Sequence, residues 1–242
     1  LALSTTVALG AEPMITDRPD FTESAQIVPP GYFQLEAGFT VIDGDGADVT
    51  QVGEALLRVS IFDPWEIRIG LPSYLTVDSP GGGDPSGFGD ASLGTKRYLG
   101  QITALDDAHA AVLLSTSVPT ASGDLESSSW QPDAALALGW DLDGGWGLGA
   151  NVGYTYADDG RDRFSQLRGS VALGVPLGSR LGGFVETYVF DKESEDGSTA
   201  WYADTGITYL LDDDLQLDAR VGFGLSDDAP DLLFGAGVST RW

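Results

Sequence analysis

Side chains that could carry nucleophilic or acid–base chemistry are scarce in this sequence. Of the 242 residues one is a histidine, His109, and none is a cysteine, which excludes thiolate metal sites and cysteine nucleophiles. A serine hydrolase needs a hydroxyl within hydrogen-bond reach of the imidazole. Ser115 and Ser117 share the strand parity of His109 but lie about 20 Å or more along the predicted strand. We therefore predict no catalytic residue and no cofactor.

Carboxylates are abundant, yet their spacing does not predict a metal centre. Asp43, Asp45 and Asp48 resemble half of a calcium loop but lack the distal bidentate glutamate of an EF-hand. A polar hairpin loop explains this segment equally well. Further acids cluster at 191–196 and 212–214, and these connections are either solvated loops or sites for divalent cations near a membrane surface.

The charged residues outside these connections lie in segments that alternate in polarity. From Tyr32 onward the dominant period is two, which is the period of a β-strand. Pro72 interrupts one segment and predicts a bulge or the strand's emergence from the bilayer. Twelve segments of about ten residues predict an all-β fold, a 12-stranded antiparallel transmembrane β-barrel of outer-membrane type. They lie near 33–41, 54–61, 65–71, 88–98, 108–118, 131–140, 145–156, 164–175, 181–190, 200–210, 215–225 and 232–242.

The connections between these segments predict the orientation of the barrel. Tight turns, expected on the periplasmic side, alternate with longer external loops. All six tryptophans then fall at strand ends, where a girdle contacts the membrane–water interface. A secreted β-sandwich is the alternative, but it gives no reason for two belts of tryptophan. The periplasmic belt is Trp65, Trp140, Trp146 and Trp242, and the outer belt is Trp130 and Trp201.

Composition and the N-terminal region bound the domain organisation. No run of eighteen apolar residues exists, which excludes a helical membrane protein, and a net charge of −25 argues against nucleic acid as a partner. Residues 1–11 resemble the end of a secretory signal peptide. Residues 12–30 do not alternate and predict a periplasmic arm that hangs free or forms a plug through Asp17, Arg18 and Asp20. Residues 31–242 are the predicted barrel.

The polar face of the predicted strands carries both signs of charge. A cation that faces hydrocarbon costs about 2–4 kcal/mol at the midplane, so these side chains are expected to point inward. They form either a salt-bridged interior or a polar constriction for small solutes. The predicted pore-lining residues are Glu36, Glu54, Arg58, Glu66, Arg68, Lys96, Asp133, Glu186, Asp204, Asp218, Arg220 and Arg241. Inward glycines predict an open sector of the wall at 147, 149, 153, 222, 224, 235 and 237.

Three segments carry a resemblance to a known family. They are ITDRPDFTESAQIVPPGYFQLEAGFT (15–40), GFGDASLGTKRYL (87–99) and the C-terminal segment 203–242. They resemble the outer-membrane proteins grouped as transporters of the MetA pathway of phenol degradation. The resemblance implies an outer-membrane barrel of a Gram-negative bacterium and defines no catalytic residues. Trp242 stands where phenylalanine is more usual in such barrels and should still serve as an assembly signal.

These observations predict a porin-like channel that takes up small solutes passively. Aromatic compounds are suggested only by the family's name. The alternatives are a non-transporting structural or adhesive barrel and, more remotely, a barrel-embedded hydrolase. The expected partners are the lipid bilayer, lipopolysaccharide and the barrel-assembly machinery, which would contact the C-terminal strand.

Overall fold

The computed structural model describes residues 12–44, 46–125 and 129–242. The predicted signal segment 1–11 and Asp45 of the acidic loop lie outside the described residues. Within the described ranges, helical structure consists of three short 3-10 turns, and no helix is long and apolar enough to cross a membrane. The turns span Thr103–Leu105, Gly123–Leu125 and Asp143–Gly145.

Antiparallel strands form one closed sheet. Segments β3 and β4 both pair with β2, while β5 and β6 continue one another in the next strand, so the fourteen segments make twelve strands. Because β1 pairs with both β2 and β14, the sheet closes into a barrel, and the predicted 12-stranded barrel is confirmed. The segments are β1 Phe33–Asp43, β2 Asp48–Phe62, β3 Trp65–Gly70, β4 Tyr74–Asp78, β5 Ser86–Phe88, β6 Ala91–Ile102, β7 Ala108–Val118, β8 Gln131–Asp141, β9 Gly147–Asp158, β10 Arg163–Pro176, β11 Leu181–Phe190, β12 Ala200–Asp212, β13 Leu215–Gly224 and β14 Leu232–Arg241.

The barrel has a turn end and a loop end. The turn end carries the connections 63–64, 103–107, 142–146, 177–180 and 213–214. The loop end carries the described connecting residues 44, 46–47, 79–85, 119–125, 129–130, 159–162, 191–199 and 225–231. In outer-membrane barrels the short turns face the periplasm and the longer loops face outward. Both ends of the N-terminal arm, and Trp242 after β14, are at the turn end.

The interruption between β3 and β4 falls at Pro72, as predicted. Proline has no N–H to give to a ladder, and residues 71–73 interrupt the strand, although the Leu71 N–H still donates to the Ala55 carbonyl oxygen at 2.7 Å. Across the gap, the Glu54 backbone takes a positive φ of 36° and its N–H donates to Ser73 Oγ at 3.0 Å. Beside this irregularity the Glu54 carboxylate pairs with Arg18 of the arm at 2.8 Å.

The distribution of polarity is inverted relative to a soluble protein. Large apolar side chains cover the outside, with exposed fractions of 46% for Ile67 and 55% for Val185. The largest fully buried side chains are polar: Arg58, Lys96, Gln34, Glu36, Glu66, Ser60 and Ser239. Lipid outside the barrel favours the apolar surface, while the interior holds the polar groups. The chain is accordingly an outer-membrane β-barrel.

The six tryptophans lie at or beside strand ends, as predicted. Five have exposed side chains, and Trp140 donates from its indole N–H to the Leu105 carbonyl oxygen at 2.8 Å. Trp65, Trp140, Trp146 and Trp242 are at the turn end, and Trp130 and Trp201 are at the loop end. Their action as an interfacial girdle stays a prediction.

A charge on the outer wall should cost stability. Val185 lies near the middle of β11 with its side chain outward. We expect Val185→Arg to lower the free energy of unfolding by about 2–4 kcal/mol, because the guanidinium would face hydrocarbon near the midplane. The urea midpoint of the protein refolded into lipid vesicles measures this. Thr199→Arg, in an exposed loop, is the matched control, and equal losses in both variants would contradict the assigned lipid face.

Candidate functional site

Residues 12–30 form an arm that runs inside the barrel. Near its start, the Met14 N–H donates to the Asp213 carbonyl oxygen in a connection at the turn end. The arm then rises to Phe21, which contacts the loop-end half of β11, and descends to Gly31. There the Gly31 N–H donates to the Ser60 carbonyl oxygen at 2.7 Å. The arm therefore enters and leaves the lumen at the same end.

Three glutamates of the barrel wall hold the arm through its backbone. The described arm residues form no regular secondary structure, so their N–H groups need other partners inside the barrel. Carboxylates are strong acceptors for such groups. The pairs, with N···O distances, are Asp17 and Arg18 to Glu36 (3.0 Å each), Phe21 and Thr22 to Glu186 (2.7 and 2.6 Å) and Val28 to Glu66 (2.8 Å).

Asp17 of the arm lies at the centre of a buried ion-pair network. Its Oδ2 is 3.2 Å from Arg58, 2.6 Å from Arg68 and 2.9 Å from Lys96. Glu66 of β3 also pairs with both arginines at 3.0 Å. Burial opposes ionisation of Asp17, but the three cations hold its pKa below the ordinary value. Asp17 of the arm is thus an anionic partner that Arg58, Arg68 and Lys96 share.

The Arg18 guanidinium packs against two positions of the barrel wall where only glycine leaves enough room. Gly38 and Gly237 are directly opposite each other in the β1–β14 pair. A Cβ at either position would lie within 2.5 Å of the Arg18 guanidinium. The guanidinium then reaches Glu54 at 2.8 Å and Asp218 at 3.3 Å. This close approach ties the arm to the seam of the barrel.

An aromatic cluster anchors the top of the arm. The Phe21 ring stacks on Tyr188 with centroids 4.4 Å apart, and Tyr188 stacks on Tyr202 at 4.6 Å. Phe190 meets Phe21 edge-on at 5.3 Å. The Tyr202 hydroxyl donates to Glu193 at 2.6 Å, which satisfies the polar end of the stack.

Removing the Phe21 ring should loosen the arm without dissolving the barrel. Phe21 is half-buried, so we expect Phe21→Ala to cost about 2–3 kcal/mol, less than the roughly 3–5 kcal/mol of a fully buried ring. Faster cleavage after Glu23 by a glutamate-specific protease, with the barrel still folded on a gel, is the expected result. The control is Ile15→Ala, whose side chain is 52% exposed. Unchanged cleavage in Phe21→Ala would contradict the anchoring role.

All twelve predicted inward residues lie on the inner wall, but they divide among separate partners. The inward acids and cations of β1, β2, β3 and β6 join the ion-pair network around Asp17, except Glu54, which pairs with Arg18. Asp218, Arg220 and Arg241, on the last two strands, do not pair with one another. Their ion-pair partners are Arg18, Asp204 (3.8 Å) and Asp214 respectively, while Asp133 pairs with Arg168. The inner wall thus contains several separate ion-pair groups.

Some inner residues have the right parity but were not predicted. Gln34 donates to the Ile15 carbonyl oxygen at 2.9 Å, and Asn151 bonds the Glu23 backbone on both its N–H and C=O sides. Gln34 shares the inward side of β1 with Glu36, so alternation alone could have identified it. Nothing in the alternation indicates that its partner is the arm.

Most of the inward glycines that were predicted to leave free space along the wall are covered by other groups. A Cβ at 149 or 237 would meet the arm, and one at 153, 222, 224 or 235 would meet neighbouring side chains or backbone at 3.4 Å or less. Gly147 is the exception, with its nearest such atom at 4.0 Å, and it borders two cavities. The sequence identified the small side chains but not the groups that pack over them.

Within the described part of the chain, the lumen beside the arm contains an outer chamber and two inner chambers. The outer chamber, about 490 Å³, lies toward the loop end and is bordered by Phe190, Gln166 and Arg168. Two inner chambers of about 260 and 410 Å³ lie toward the turn end and share Gly147 and Gly174 as lining. Asp17 and Glu36 of the ion-pair network border only the outer chamber.

His109 borders the smaller inner chamber. Its Nδ1 lies 2.7 Å from the Tyr98 hydroxyl and its Nε2 lies 3.1 Å from Asp141. Gln101 is the remaining hydrogen-bonding neighbour at 3.5 Å. Among the described residues no serine hydrogen-bonds to the ring, so the geometry supplies no nucleophile for the imidazole.

The loop end is acidic. Backbone N–H groups of Asp162, Glu195 and Arg161 donate to Asp159 and lower the pKa of this carboxyl to about 2. In the portions of the chain that the structure describes, no group of three or more acidic or histidine side chains could hold a metal ion. The loop acids nevertheless give the outer mouth a negative potential.

Burial changes the ionisation of a second arm residue. Burial, followed by the nearby Glu186 and Asp204 carboxylates, raises the pKa of Asp20. Asp17 and Asp20, three residues apart, are thus shifted in opposite directions, because one faces three cations and the other faces acids.

The barrel fold is similar to solved outer-membrane structures. The COG4313 outer membrane channel from Pseudomonas putida F1 has a TM-score of 0.69 at 15% identity, over 90% of this chain and 98% of that one. The KdgM porin has a TM-score of 0.55 at 8% identity, over 86% and 98%. At such identities the likeness shows the fold alone. No curated protein matches the chain.

The family can be assigned from the sequence with the fold in hand. A model of the family described as "Putative MetA-pathway of phenol degradation" matches residues 16–242, which include the arm from Thr16 and all twelve strands. This match confirms the resemblance carried by the end motifs. The chain belongs to the family described by the MetA pathway of phenol degradation.

Proposed function

We propose that this protein is an outer-membrane channel through which small solutes diffuse past a fixed arm. The observation that carries the proposal is the row of chambers between the two ends of the barrel. The arm fills the side of the lumen near β1, β2, β3 and β6, and the chambers lie mainly along β8 to β12. A 12-stranded barrel narrowed in this way leaves room for small molecules only.

The contacts of the arm favour a constriction over a removable gate. Its backbone is held by three wall glutamates, its Asp17 by three cations and its Phe21 by stacked rings. Releasing it would break all of these together. Selection by size and charge would therefore occur beside the arm.

The class of solute follows from the family and from the outer chamber. The family's description refers to phenol degradation, which makes small aromatic compounds the first candidates. Phe21 and Phe190 border the outer chamber beside Arg168 and Arg220. Solutes of this kind are taken up passively in our proposal, with no chemical step.

Single-channel recording of the refolded protein in a planar bilayer tests the channel. We expect small, steady conductance from the full chain and a several-fold larger conductance after deletion of residues 12–30. Heat-modifiable migration on a gel confirms that each variant is folded. Absence of conductance from both folded proteins would sink the proposal. Swelling of liposomes in a neutral phenyl glycoside, compared with a sugar of similar size, tests the aromatic preference.

A non-transporting structural barrel is the second candidate. It is favoured by the ion-pair network, which stiffens one side of the interior and leaves no path there. The conductance experiment distinguishes it from the channel. In either case we propose that lipopolysaccharide contacts the exposed loops and that the assembly machinery recognises β14 with Trp242.

A further inference from the structure

Asp20 of the arm lies where the three chambers meet. Of the residues that the structure describes, it alone borders the outer chamber and both inner chambers. Its neighbours Arg18 and Glu23 each border two of them. A solute that passes from the loop end to the turn end along the chambers must therefore pass the Asp20 carboxyl.

The wall beside the next arm residues, Phe21 and Thr22, contributes two more carboxyls. Glu186 of β11 and Asp204 of β12 are directly paired across the strands, and both side chains point inward. The Glu186 carboxylate already accepts the N–H groups of Phe21 and Thr22. Of these two wall carboxyls, Asp204 is the one that accepts no hydrogen bond from the arm.

Asp204 is buried and unsatisfied. Asp204 is 4% exposed, and both of its carboxylate oxygens lack a hydrogen-bond partner among the described residues. Arg220 approaches it only to 3.8 Å, beyond hydrogen-bond distance. A buried carboxylate without hydrogen bonds is strongly unfavourable, so this position requires a cation, a proton or a donor.

Around the junction of the chambers, acidic side chains also outnumber basic ones. The acids Asp20, Glu186, Asp204 and Asp218 face the cations Arg18 and Arg220. Arg18 is further shared with Glu54. Around Asp17, by contrast, three cations are in direct contact with the acids. The junction is thus the part of the described lumen where positive charge is missing.

We propose that Asp20, at the junction of the chambers, and the adjoining wall carboxyls Glu186 and Asp204 form a cation-binding subsite beside the diffusion path, suited to a hydrated monovalent ion or a small organic ammonium. This inference rests on the proposed channel. The described residues hold no group with the geometry of a chelated metal ion, which favours weak binding and rapid exit. A proton competes for the same carboxyls, with Asp17, Glu23, Asp218, Arg18, Arg220 and Tyr188 as the surrounding titratable groups.

Reversal potentials in a KCl gradient test the subsite. Recordings of the full chain at about pH 10, well above the ordinary carboxyl range, limit competition from protons. Salt of about 1 M shortens the Debye length to about 3 Å and screens the exposed loop acids. We expect a preference for K⁺ over Cl⁻ that falls at least about threefold in Asp20→Asn and in Asp204→Asn, since each removes a unit charge from the junction.

Two further variants control the measurement. Asp20→Glu keeps the charge and should keep the preference, and Asp162→Asn removes one exposed loop charge and should leave it unchanged. A preference for Cl⁻, or an unaltered ratio in both junction variants with conductance intact, would overturn the subsite and leave the channel standing. Absence of conductance from the full chain and the arm-deleted protein would overturn the channel and the subsite together.

Discussion

Replacing Asp17 by asparagine is expected to destabilise the folded barrel by about 3–5 kcal/mol at neutral pH, the usual cost of breaking a buried ion pair. The Asp17 carboxyl is buried against Arg58, Arg68 and Lys96, and its Oδ1 also accepts the Ser24 N–H at 3.0 Å. An amide at this position keeps the shape of the side chain but leaves three cations without their shared partner. The urea midpoint of the protein refolded in vesicles measures the loss.

The size of this effect should depend on pH in a defined direction. Because the three cations hold the folded-state pKa of Asp17 below its ordinary value of 3.8, its ionised form stabilises the fold at pH values above 3.8. That contribution is lost progressively as the pH falls below 3.8 toward the folded-state pKa. The difference between the protein and Asp17→Asn should therefore be full at neutral pH and smaller at about pH 3.

Matched variants separate charge from a general disturbance of the arm. Asp162→Asn, in an exposed loop, removes the same charge and should change stability by less than about 0.5 kcal/mol. Asp17→Glu keeps the charge in a longer side chain and should recover part of the loss. A loss in Asp17→Asn that is the same at pH 7 and pH 3 would show that the cations are not its cause.

The barrel could be predicted from the sequence because each strand carries its own signal. Alternation in a segment such as 33–41 specifies an inward and an outward face without knowledge of any other strand. The same parity placed Glu36, Arg58 and Glu66 inside correctly. Tryptophans at strand ends then fixed where the apolar band stops, as for Trp65.

The arrangement inside the barrel could not be predicted in the same way. Residues 12–30 have no period, and their backbone is held by side chains far along the chain, such as Glu186. Parity indicates that Arg220 faces inward but not that its partner is Asp204 rather than Asp218. Whether a glycine leaves free space in the lumen depends on the side chains that pack over it. The Arg18 guanidinium, which covers Gly38, is an example. These are long-range contacts, and no local pattern encodes them.

Replacing Arg58 by methionine should have a comparably large effect. The Arg58 guanidinium is 1% exposed, pairs with Glu36 at 2.9 Å and Glu66 at 3.0 Å, and donates to the Gln26 carbonyl oxygen at 3.2 Å. Methionine retains much of the packing volume but leaves several carboxylates close together with too few cations. We expect a loss of about 3–5 kcal/mol in the free energy of unfolding, measured by the same urea midpoint. Arg58→Lys should lose less, because it keeps the charge but not the planar fork.

The double variant Asp17→Asn with Arg58→Met gives the more stringent test. The two single changes shift the net charge of the network in opposite directions, whereas the double change restores it and leaves Glu23, Glu36 and Glu66 with Arg68 and Lys96. Residues in one network commonly show coupling energies of about 0.5–3 kcal/mol. We therefore expect the double variant to be more stable than the sum of the two losses predicts, by about 2 kcal/mol or more. Strict additivity would mean that Asp17 and Arg58 act independently, and the arm would then be held by its backbone contacts to the glutamates rather than by the charge of Asp17.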